Sequence, residues 1–421
     1  MIFFVPRAND ICFLGCLRSL SKEKVKIING LYKWQNKQIF FSNYSKYLLD
    51  KRKFPNPAMD EKKFVKSLIK IGIENKKKGK LFYLPTSDTN MMVAINNWDY
   101  IKKYYHILGF KNFSKPNDFV FNKYKMYKIL KQKKILTPET MKFNLNNLKK
   151  MLEKYNKVII KPNVKDYSQT FYSNNKSKAL LIENLENYKE IINKNEKIIK
   201  DLVIQEYYAV KNLKYEIPIY IYADKNHNVI FSVCGLKHLI YPNKYGSAAI
   251  LGVCENKQLE NLSRKIVKNL KWRGPLMIEF IYNRKKKKWG VIEINGRPWL
   301  MIDFFRRLGF SFIKLLINDF QGLNIYSLLE DYRKKKLNSI KNKSLHLDLS
   351  LIADYIQSTK YQKRNISKIK NILKRSKNIS ISSHDQYDVA PFKFEEKYLK
   401  KKLNYTNIIS LLGIKDFKLH N

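Results

Sequence analysis

Two runs of β-forming residues contain carboxylates at positions that paired strands would place side by side. Met277 to Tyr282 and Gly290 to Asn295 are such runs, and the lysine-rich segment between them is long enough for a hairpin loop. Because side chains alternate along a strand, Glu293 and Asn295 share one face, and a suitable register brings Glu279 beside them. Opposed carboxylates repel, and burying one without a partner is costly. The pattern therefore predicts a positive charge between them.

A hard divalent cation is the physical candidate for that charge. Mg²⁺ prefers oxygen ligands and is commonly held by one or two carboxylates together with substrate phosphates, so Glu279, Glu293 and Asn295 form the predicted metal site. The alternative is a solvent-facing polar stripe whose glutamates pair with lysines. The following Gly296-Arg297 pair favours the metal, because a small residue and a forked guanidinium suit a bound polyphosphate. A surface ion pair is the alternative for Arg297.

The first third of the chain alternates helical and strand patterns. Leu81 to Leu84 is predicted to be a buried strand between two amphipathic helices, which favours a parallel sheet with crossover helices. Ligands bind at the carboxyl ends of such strands, where Thr86, Ser87 and Asp88 follow. The alternative for Ser87 or Asp88 is a helix cap.

The middle of the chain predicts a helix from Asn122-Lys123, a helix over 145–155, and strands over 158–160 and 202–206. Residues 161–178 are polar and predict a loop, followed by a helix around Leu181. A hairpin is expected over 217–234. From Asp331 onward, lysine-rich helical segments predict a separate extension.

These pieces, taken in order, resemble the ATP-grasp superfamily. The metal-binding end of that fold is similar to Glu279-Phe280 and to the run from Glu293 to Trp299, especially in the carboxylate-amine ligase branch related to the large subunit of carbamoyl phosphate synthase. Upstream, Leu84 to Asp88 is similar to the domain that precedes the ATP-grasp fold, and Phe121 to Lys123 with Leu136 to Thr140 is similar to the start of that fold. Val158 to Pro162 is similar to the strand that carries the second lysine, and Val203 to Tyr208 to the adenine hinge.

The resemblance implies a role for each matching position between about Ser42 and Phe312. It implies that Lys123 and Lys161 contact the phosphates and that Glu216 lies near the ribose. The adenine hinge would consist of Gln205, Glu206, Tyr207 and Tyr208. The basic side chains of Lys237 and Arg297 would be catalytic and would stabilise an acyl phosphate. Gly246 matches a segment near the phosphates. The family's phosphate loop is glycine-rich, whereas Asn163 to Ser177 contains no glycine, so the hydroxyls of Ser168, Thr170 and Ser173 are the candidate donors.

The fold class implied is α/β and α+β. Residues 1–117 would form a parallel-sheet pre-ATP-grasp domain, 118–325 the ATP-grasp domain with subdomains over 118–201 and 202–325, and 326–421 a mainly helical extension. The implied function is an ATP-dependent ligase that activates a carboxylate as an acyl phosphate and couples it to an amine. ATP and Mg²⁺, or alternatively Mn²⁺, would be its cofactors. A thiol acceptor is not excluded.

The net charge of +48, from 83 basic and 35 acidic residues, leaves two other functions open. One is a nucleic-acid-binding protein. This function is disfavoured because the lysines are scattered and the arginines are few, which indicates a solvated surface. The other is an inactive ATP-grasp module that binds nucleotide or a partner. Four scattered cysteines and no apolar run of membrane-spanning length predict a cytoplasmic protein, and the resemblance implies a carboxylate and an amine as small-molecule partners. The oligomeric state is open, with a dimer as one option.

Overall fold

The computed structural model describes residues 1–32, 40–50, 52–109, 118–164, 168–186, 188–208, 212–242, 246–358, 362–404 and 406–414, with only the backbone at 118, 119, 168 and 169. The predicted boundary at residue 117 and the candidate donor hydroxyl of Ser168 lie outside this description. Mixed α/β architecture with one parallel sheet and two further sheets confirms the predicted fold class.

The first sheet is parallel, with five strands in the order β3-β2-β1-β4-β5. Crossover helices connect its strands, as the alternating pattern predicts. Its elements are β1 (Ile2–Pro6), α1 (Asp10–Ser21), β2 (Lys26–Tyr32), β3 (Lys53–Phe54), α2 (Glu61–Asn75), β4 (Leu81–Tyr83), α3 (Asp88–Asn96), α4 (Trp98–Ile101) and β5 (Tyr105–Ile107).

The second sheet has four strands in the order β6-β9-β7-β8, all antiparallel to their neighbours. Its apolar face is covered by helices, with Leu148, Met151 and Ile160 at the centre of a small separate core. Its elements are α5 (Lys123–Gln132), β6 (Thr140–Lys142), α6 (Leu145–Tyr155), β7 (Val158–Pro162), α7 (Ser168–Asn175), β8 (Leu180–Ile182), α8 (Tyr188–Asn195) and β9 (Leu202–Glu206).

The sequence interpretation of residues 161–182 is wrong in two places. Ser168–Asn175 is a helix within the expected loop, and Leu180–Ile182 is a strand where a helix around Leu181 was expected. Register explains the strand: Ile182 pairs with Val158 on β7, so the short apolar run completes an existing sheet. Tertiary pairing here overrides the local pattern.

The third sheet has seven strands in the order β14-β13-β10-β11-β12-β15-β16. The expected hairpins over 217–234 and 277–295 are both present. The elements before its last two strands are β10 (Glu216–Ala223), β11 (Val229–Tyr241), β12 (Ser247–Cys254), α9 (Lys257–Leu270), β13 (Gly274–Asn283), β14 (Lys288–Asn295), α10 (Ile302–Arg307) and α11 (Phe312–Gln321).

The C-terminal residues are mainly helical, as expected, and the domain boundary at residue 325 stays a prediction. Two short strands from this region continue the third sheet, because β15 pairs with β12 and β16 pairs with β15. The elements are α12 (Tyr326–Lys341), β15 (Leu345–Leu347), α13 (Leu349–Gln357), α14 (Gln362–Leu373), β16 (Ile379–Ile381), α15 (Ala390–Lys402) and α16 (Ile408–Leu412). The sheet therefore runs across the proposed boundary at residue 325.

One hydrophobic core joins the first and third sheets. Helix α1 packs on α10, and Gly15 of α1 comes so close that a Cβ atom there would lie 2.6 Å from Cγ2 of Ile302. This close packing holds the carboxyl edge of the parallel sheet against the end of β14. Within the described part of the chain, no helix is long and apolar enough to cross a membrane.

Candidate active site

The carboxylates of the β13–β14 hairpin lie side by side. Glu279 pairs with Glu293, and Met277 pairs with Asn295, in the register that alternation predicts. The Lys286 backbone N–H donates to Oδ1 of Asn283 at 2.9 Å in the loop that joins the two strands. The hairpin therefore brings together the three predicted metal ligands.

Lys237 supplies a positive charge to Glu279, one of the two paired carboxylates. It lies on β11, is 5% exposed, and places Nζ 3.2 Å from Oε1 of Glu279. The same Nζ donates a short hydrogen bond to Glu216 at the start of β10. One buried ammonium thus bridges two carboxylates. The predicted ribose contact of Glu216 stays a prediction, and its observed partner is Lys237.

Charge balance in this cluster is visible in the direction of its pKa shifts. Burial raises the pKa of Glu279, Lys237 opposes this rise, and the charges of Glu293 and Glu216 add to it. Burial lowers the pKa of Lys237, but Glu279 and Glu216 more than offset this, so its pKa lies above the ordinary value. Lys237 is therefore cationic at neutral pH.

Lys178 is a further cation beside these carboxylates. Its Nζ donates to Oγ of Ser247 at 3.2 Å, and the charges of Glu293 and Glu279 favour its protonated form. Desolvation is the larger effect and lowers the pKa of Lys178. The sequence pattern missed this residue, because nothing local separates Lys178 from the many other lysines.

Arg297 connects the hairpin to the parallel sheet. Its Nη2 lies 2.7 Å from Oδ2 of Asp88, which follows β4 at the carboxyl edge, and 3.5 Å from Oδ1 of Asn295. Burial lowers the pKa of Arg297, but Asp88 outweighs this effect and raises it. Ser87 is the cap of α3, so its carboxylate neighbour Asp88 is left to pair with Arg297. The ion pair is partly buried between two sheets, with its side chains 19% and 16% exposed.

The two predicted phosphate lysines come from the second sheet and the helix before it. Lys161 lies on β7, and its Nζ donates to Oη of Tyr127 at 3.2 Å. The Tyr127 hydroxyl in turn donates to the carbonyl of Ile292, next to Glu293 on β14. Lys123 is buried in the first turn of α5, and its N–H donates to the Asn163 carbonyl at 3.0 Å. Lys161 thus faces the region between the second and third sheets, and Lys123 is anchored beside β7 through its backbone.

The predicted adenine hinge spans the connection between these sheets. Gln205 and Glu206 end β9, and β10 of the third sheet begins at residue 216. Nε2 of Gln205 donates to Oγ1 of Thr140 at 3.0 Å, and Oε2 of Glu206 accepts from the Glu139 N–H at 3.1 Å. These side chains hold the strand in place against residues 139–140, and the adenine contact of the hinge stays a prediction.

Two aromatic residues complete the hinge. Tyr208 is buried, and its ring lies close to Gly290 on β14, where a Cβ atom would be 3.3 Å from Cε2 of that ring. Burial raises the pKa of the Tyr208 hydroxyl, so it is protonated at neutral pH. Tyr207 is half-buried. Close packing of Tyr208 on Gly290 fixes the hinge against the β13–β14 hairpin.

The glycines near the site are required by packing. A Cβ atom on Gly296 would lie 2.4 Å from Trp272, so this glycine makes room for the indole ring rather than for a phosphate. A Cβ atom on Gly246 would lie 2.2 Å from the Pro242 carbonyl oxygen. Neither position tolerates a larger residue without movement of its neighbours.

The donor set fits a hard cation. Two glutamates paired across a hairpin and a buried asparagine amide offer only oxygen atoms, and the mutual repulsion of Glu279 and Glu293 is the charge arrangement that Mg²⁺ relieves. Among the described residues, no group of three or more His, Cys, Asp or Glu side chains is arranged to hold a metal. A cation here would therefore rely on the Asn295 amide, water and substrate oxygens for its remaining ligands.

Neither a family model nor a curated protein matches the chain in sequence. Solved structures do match. Carboxyaminoimidazole ribonucleotide synthase from Aspergillus clavatus in complex with ATP is 11% identical, has a TM-score of 0.56, and 77% of each chain is covered. Biotin carboxylase from Campylobacter jejuni is 13% identical with a TM-score of 0.55, over 77% of this chain and 71% of the other.

A third match is the L-amino acid ligase from Bacillus licheniformis, 14% identical with a TM-score of 0.50, over 76% of this chain and 73% of the other. Identities this low show a shared fold and no more. The suspected likeness to ATP-grasp proteins is confirmed for the fold. The chain therefore has the ATP-grasp fold.

Proposed function

We propose that this protein is an ATP-dependent ligase that activates a substrate carboxylate as an acyl phosphate and couples it to an amine, releasing ADP and phosphate. The observation that carries the proposal is the buried cluster in which Lys237 bridges Glu216 and Glu279, with Glu293 opposite Glu279. So dense a set of charges is stabilised best by a ligand that brings both a cation and an anion, as a metal-bound nucleotide does.

In this proposal two lysines and the hinge bind the nucleotide. Lys123 and Lys161 contact the phosphates as point charges, and the Tyr127 hydroxyl holds the Lys161 ammonium near β14. The Glu206 N–H already donates to the Glu139 carbonyl, so the backbone at Tyr207 and Tyr208 offers N–H and C=O groups to the adenine edge, while Glu216 contributes near the ribose. ATP bound here lies between the second and third sheets.

Glu279, Glu293 and Asn295 hold Mg²⁺ in this proposal, with Mn²⁺ as an alternative ion. When bound, the ion neutralises charge on the phosphates and orients the transferred group. The chain's own cations act on the same charges. Lys237 and Arg297 stabilise the developing negative charge of the acyl phosphate, each held in place by a carboxylate partner before substrate arrives.

The acceptor amine attacks the acyl carbon, and phosphate leaves with the electron pair of the broken C–O bond. No protein nucleophile takes part. The ion pair of Arg297 with Asp88 indicates that substrate enters between the parallel sheet and the β13–β14 hairpin. All four cysteines are free, which supports the cytoplasm as the compartment. Small-molecule acids and amines are the proposed partners, and a dimer is the oligomeric state to test first.

Release of ADP with Mg²⁺ present, screened over amino acids, sugar acids and amines, tests the proposal. We expect release that requires one acid and one amine together, and its loss in a Glu293→Gln variant. Glu255→Gln is the matched control, because Glu255 is exposed after β12 and outside the cluster. Nucleotide binding without release for any pair would support the inactive-module alternative instead.

A further inference from the structure

A cavity of about 1020 Å³ lies away from the candidate active site, between the third sheet and the C-terminal helix α14. Strands β11 and β12 form its floor, and α14 with the turn after it forms its opposite wall. Pockets for small ligands typically have volumes of about 300–1,000 Å³, so this one is large enough for an organic molecule. Nothing in the proposed ligase chemistry uses it.

Four basic side chains converge on this cavity without an acidic neighbour in its lining. They are Lys343, Arg364, Lys368 and Arg375. Across the described residues, none of the four forms an ion pair with a carboxylate, although exposed lysines elsewhere in the protein do so. The chain has only twelve arginines, and two of them are here. Arginine presents a forked donor set that suits phosphate and carboxylate groups.

The remaining lining is apolar or neutral. Leu236 and Ile372 provide aliphatic surface, and the ammonium of Lys368 lies 5.7 Å from the centre of the Tyr355 ring. His238 also lines the cavity, and burial with the charge of Arg375 lowers the pKa of its imidazole. A neutral imidazole can donate or accept one hydrogen bond. The cavity therefore combines an apolar body with a cationic rim.

The cavity and the candidate active site lie on opposite faces of one strand. Leu236 and His238 line the cavity, whereas Lys237 between them bonds to Glu216 and Glu279 on the other side of the sheet. Alternation along β11 places Leu236 and Lys237 on opposite faces, and a register shift between Lys237 and Leu239 accompanies the placement of His238 on the cavity side. Gly252 on the neighbouring strand β12 leaves room for the His238 ring, because a Cβ atom at Gly252 would lie 2.8 Å from Nε2 of His238.

We propose that this cavity is a second ligand site, which binds a small organic anion with its acid group on the basic rim and its apolar body against β11 and Tyr355. The site is independent of the nucleotide site. It is built by elements on both sides of residue 325, which gives the C-terminal region a binding role. Carboxylate and phosphate share the chemistry that the rim recognises.

Isothermal titration calorimetry with phenyl phosphate and with benzoate, at 0.15 M salt, first without MgADP and then with MgADP in excess, tests the proposal. We expect saturable 1:1 binding of at least one of the two. A Lys368→Gln/Arg375→Gln variant should weaken that binding at least tenfold. The matched control, Lys62→Gln/Lys70→Gln, removes the same charge from exposed positions on α2 and should bind as the wild type does.

Other outcomes overturn the inference. They are no saturable binding of either probe, equal weakening in the control variant, or loss of binding once MgADP is present. Inorganic phosphate that binds as tightly as phenyl phosphate would also contradict it, because the apolar wall would then contribute nothing. Both variants change exposed side chains, so unaltered melting temperatures verify that they fold. None of these results depends on ligase activity.

Discussion

Replacing Glu293 with glutamine separates the charge of the carboxylate from its shape. The side chain sits on β14 directly opposite Glu279, and the amide of glutamine has almost the same volume. Two effects of opposite sign follow. Repulsion between the two strands falls, whereas one of the proposed metal ligands loses its charge.

Both effects have a magnitude that the geometry sets. Directly opposed like charges in a sheet destabilise by about 0.2–1 kcal/mol, so the free enzyme should unfold at an equal or slightly higher temperature. The pKa of Glu279 should fall, because the charge of Glu293 is one of the causes that raise it. Loss of groups that merely support a metal ligand costs about 10–100-fold in affinity, so loss of the ligand charge itself should weaken Mg²⁺ binding by at least about 100-fold.

Thermal unfolding with and without MgADP measures the two effects in one experiment. The wild type should be stabilised by MgADP, whereas Glu293→Gln should gain almost nothing from it, while its unliganded melting temperature is unchanged or raised. Glu255→Gln should respond as the wild type does. Full stabilisation of Glu293→Gln by MgADP would refute the assignment of Glu293 to the metal, and a large drop in its unliganded stability would refute the reasoning about repulsion.

Three further predictions address other parts of the molecule. Lys161→Ala should weaken nucleotide binding at least tenfold, measured as lost stabilisation by ADP, whereas Lys157→Ala, at an exposed position directly before the same strand, should not; equal losses in both would contradict the phosphate role. Asp88→Asn should lower kcat for ADP release, because it removes the charge that holds Arg297, with little change in KM for ATP; a selective rise in that KM would place Arg297 in nucleotide binding instead. Burial raises the pKa of Glu395 to about 7, from an ordinary value of 4.5 in the unfolded chain. Between these two pH values the carboxyl is protonated in the folded state and ionised in the unfolded state. The contribution of Glu395 to stability is therefore lost as the pH rises from about 4.5 to about 7. The loss amounts to about 3 kcal/mol at 1.36 kcal/mol per pKa unit, and denaturant unfolding of Glu395→Gln should show a flatter pH profile; an unaltered profile would contradict the assignment.

The part of the site that lies on one hairpin could be predicted from sequence. Strand alternation fixes which side chains share a face, so Glu293 and Asn295 follow from their spacing, and the register with Glu279 follows from a loop of suitable length. Helix caps are equally local, and Asn122 caps α5 as its position before Lys123 indicates. In these cases the determining interactions lie within a few residues along the chain.

The remainder depends on contacts between distant segments. The partner of Arg297 is Asp88, more than two hundred residues away along the chain. Lys161 donates to Tyr127, a residue that no sequence motif marks. Lys178 reaches the cluster only because β8 joins the second sheet. Strands β15 and β16 have three residues each and are stabilised by pairing, β15 with β12 and β16 with β15, so a helical pattern dominates the local signal.

The central claim is that a carboxylate oxygen of the substrate is phosphorylated by ATP. Mass spectrometry of the phosphate released from a carboxylic acid labelled with ¹⁸O in both oxygens tests it directly, once the acid and amine are known. Formation of an acyl phosphate and attack by the amine at carbon leave one labelled oxygen in the phosphate, so the account predicts one ¹⁸O per phosphate released. Phosphate without label, formed together with ADP at the same rate, would contradict it, because water and not the carboxylate would then be the phosphoryl acceptor.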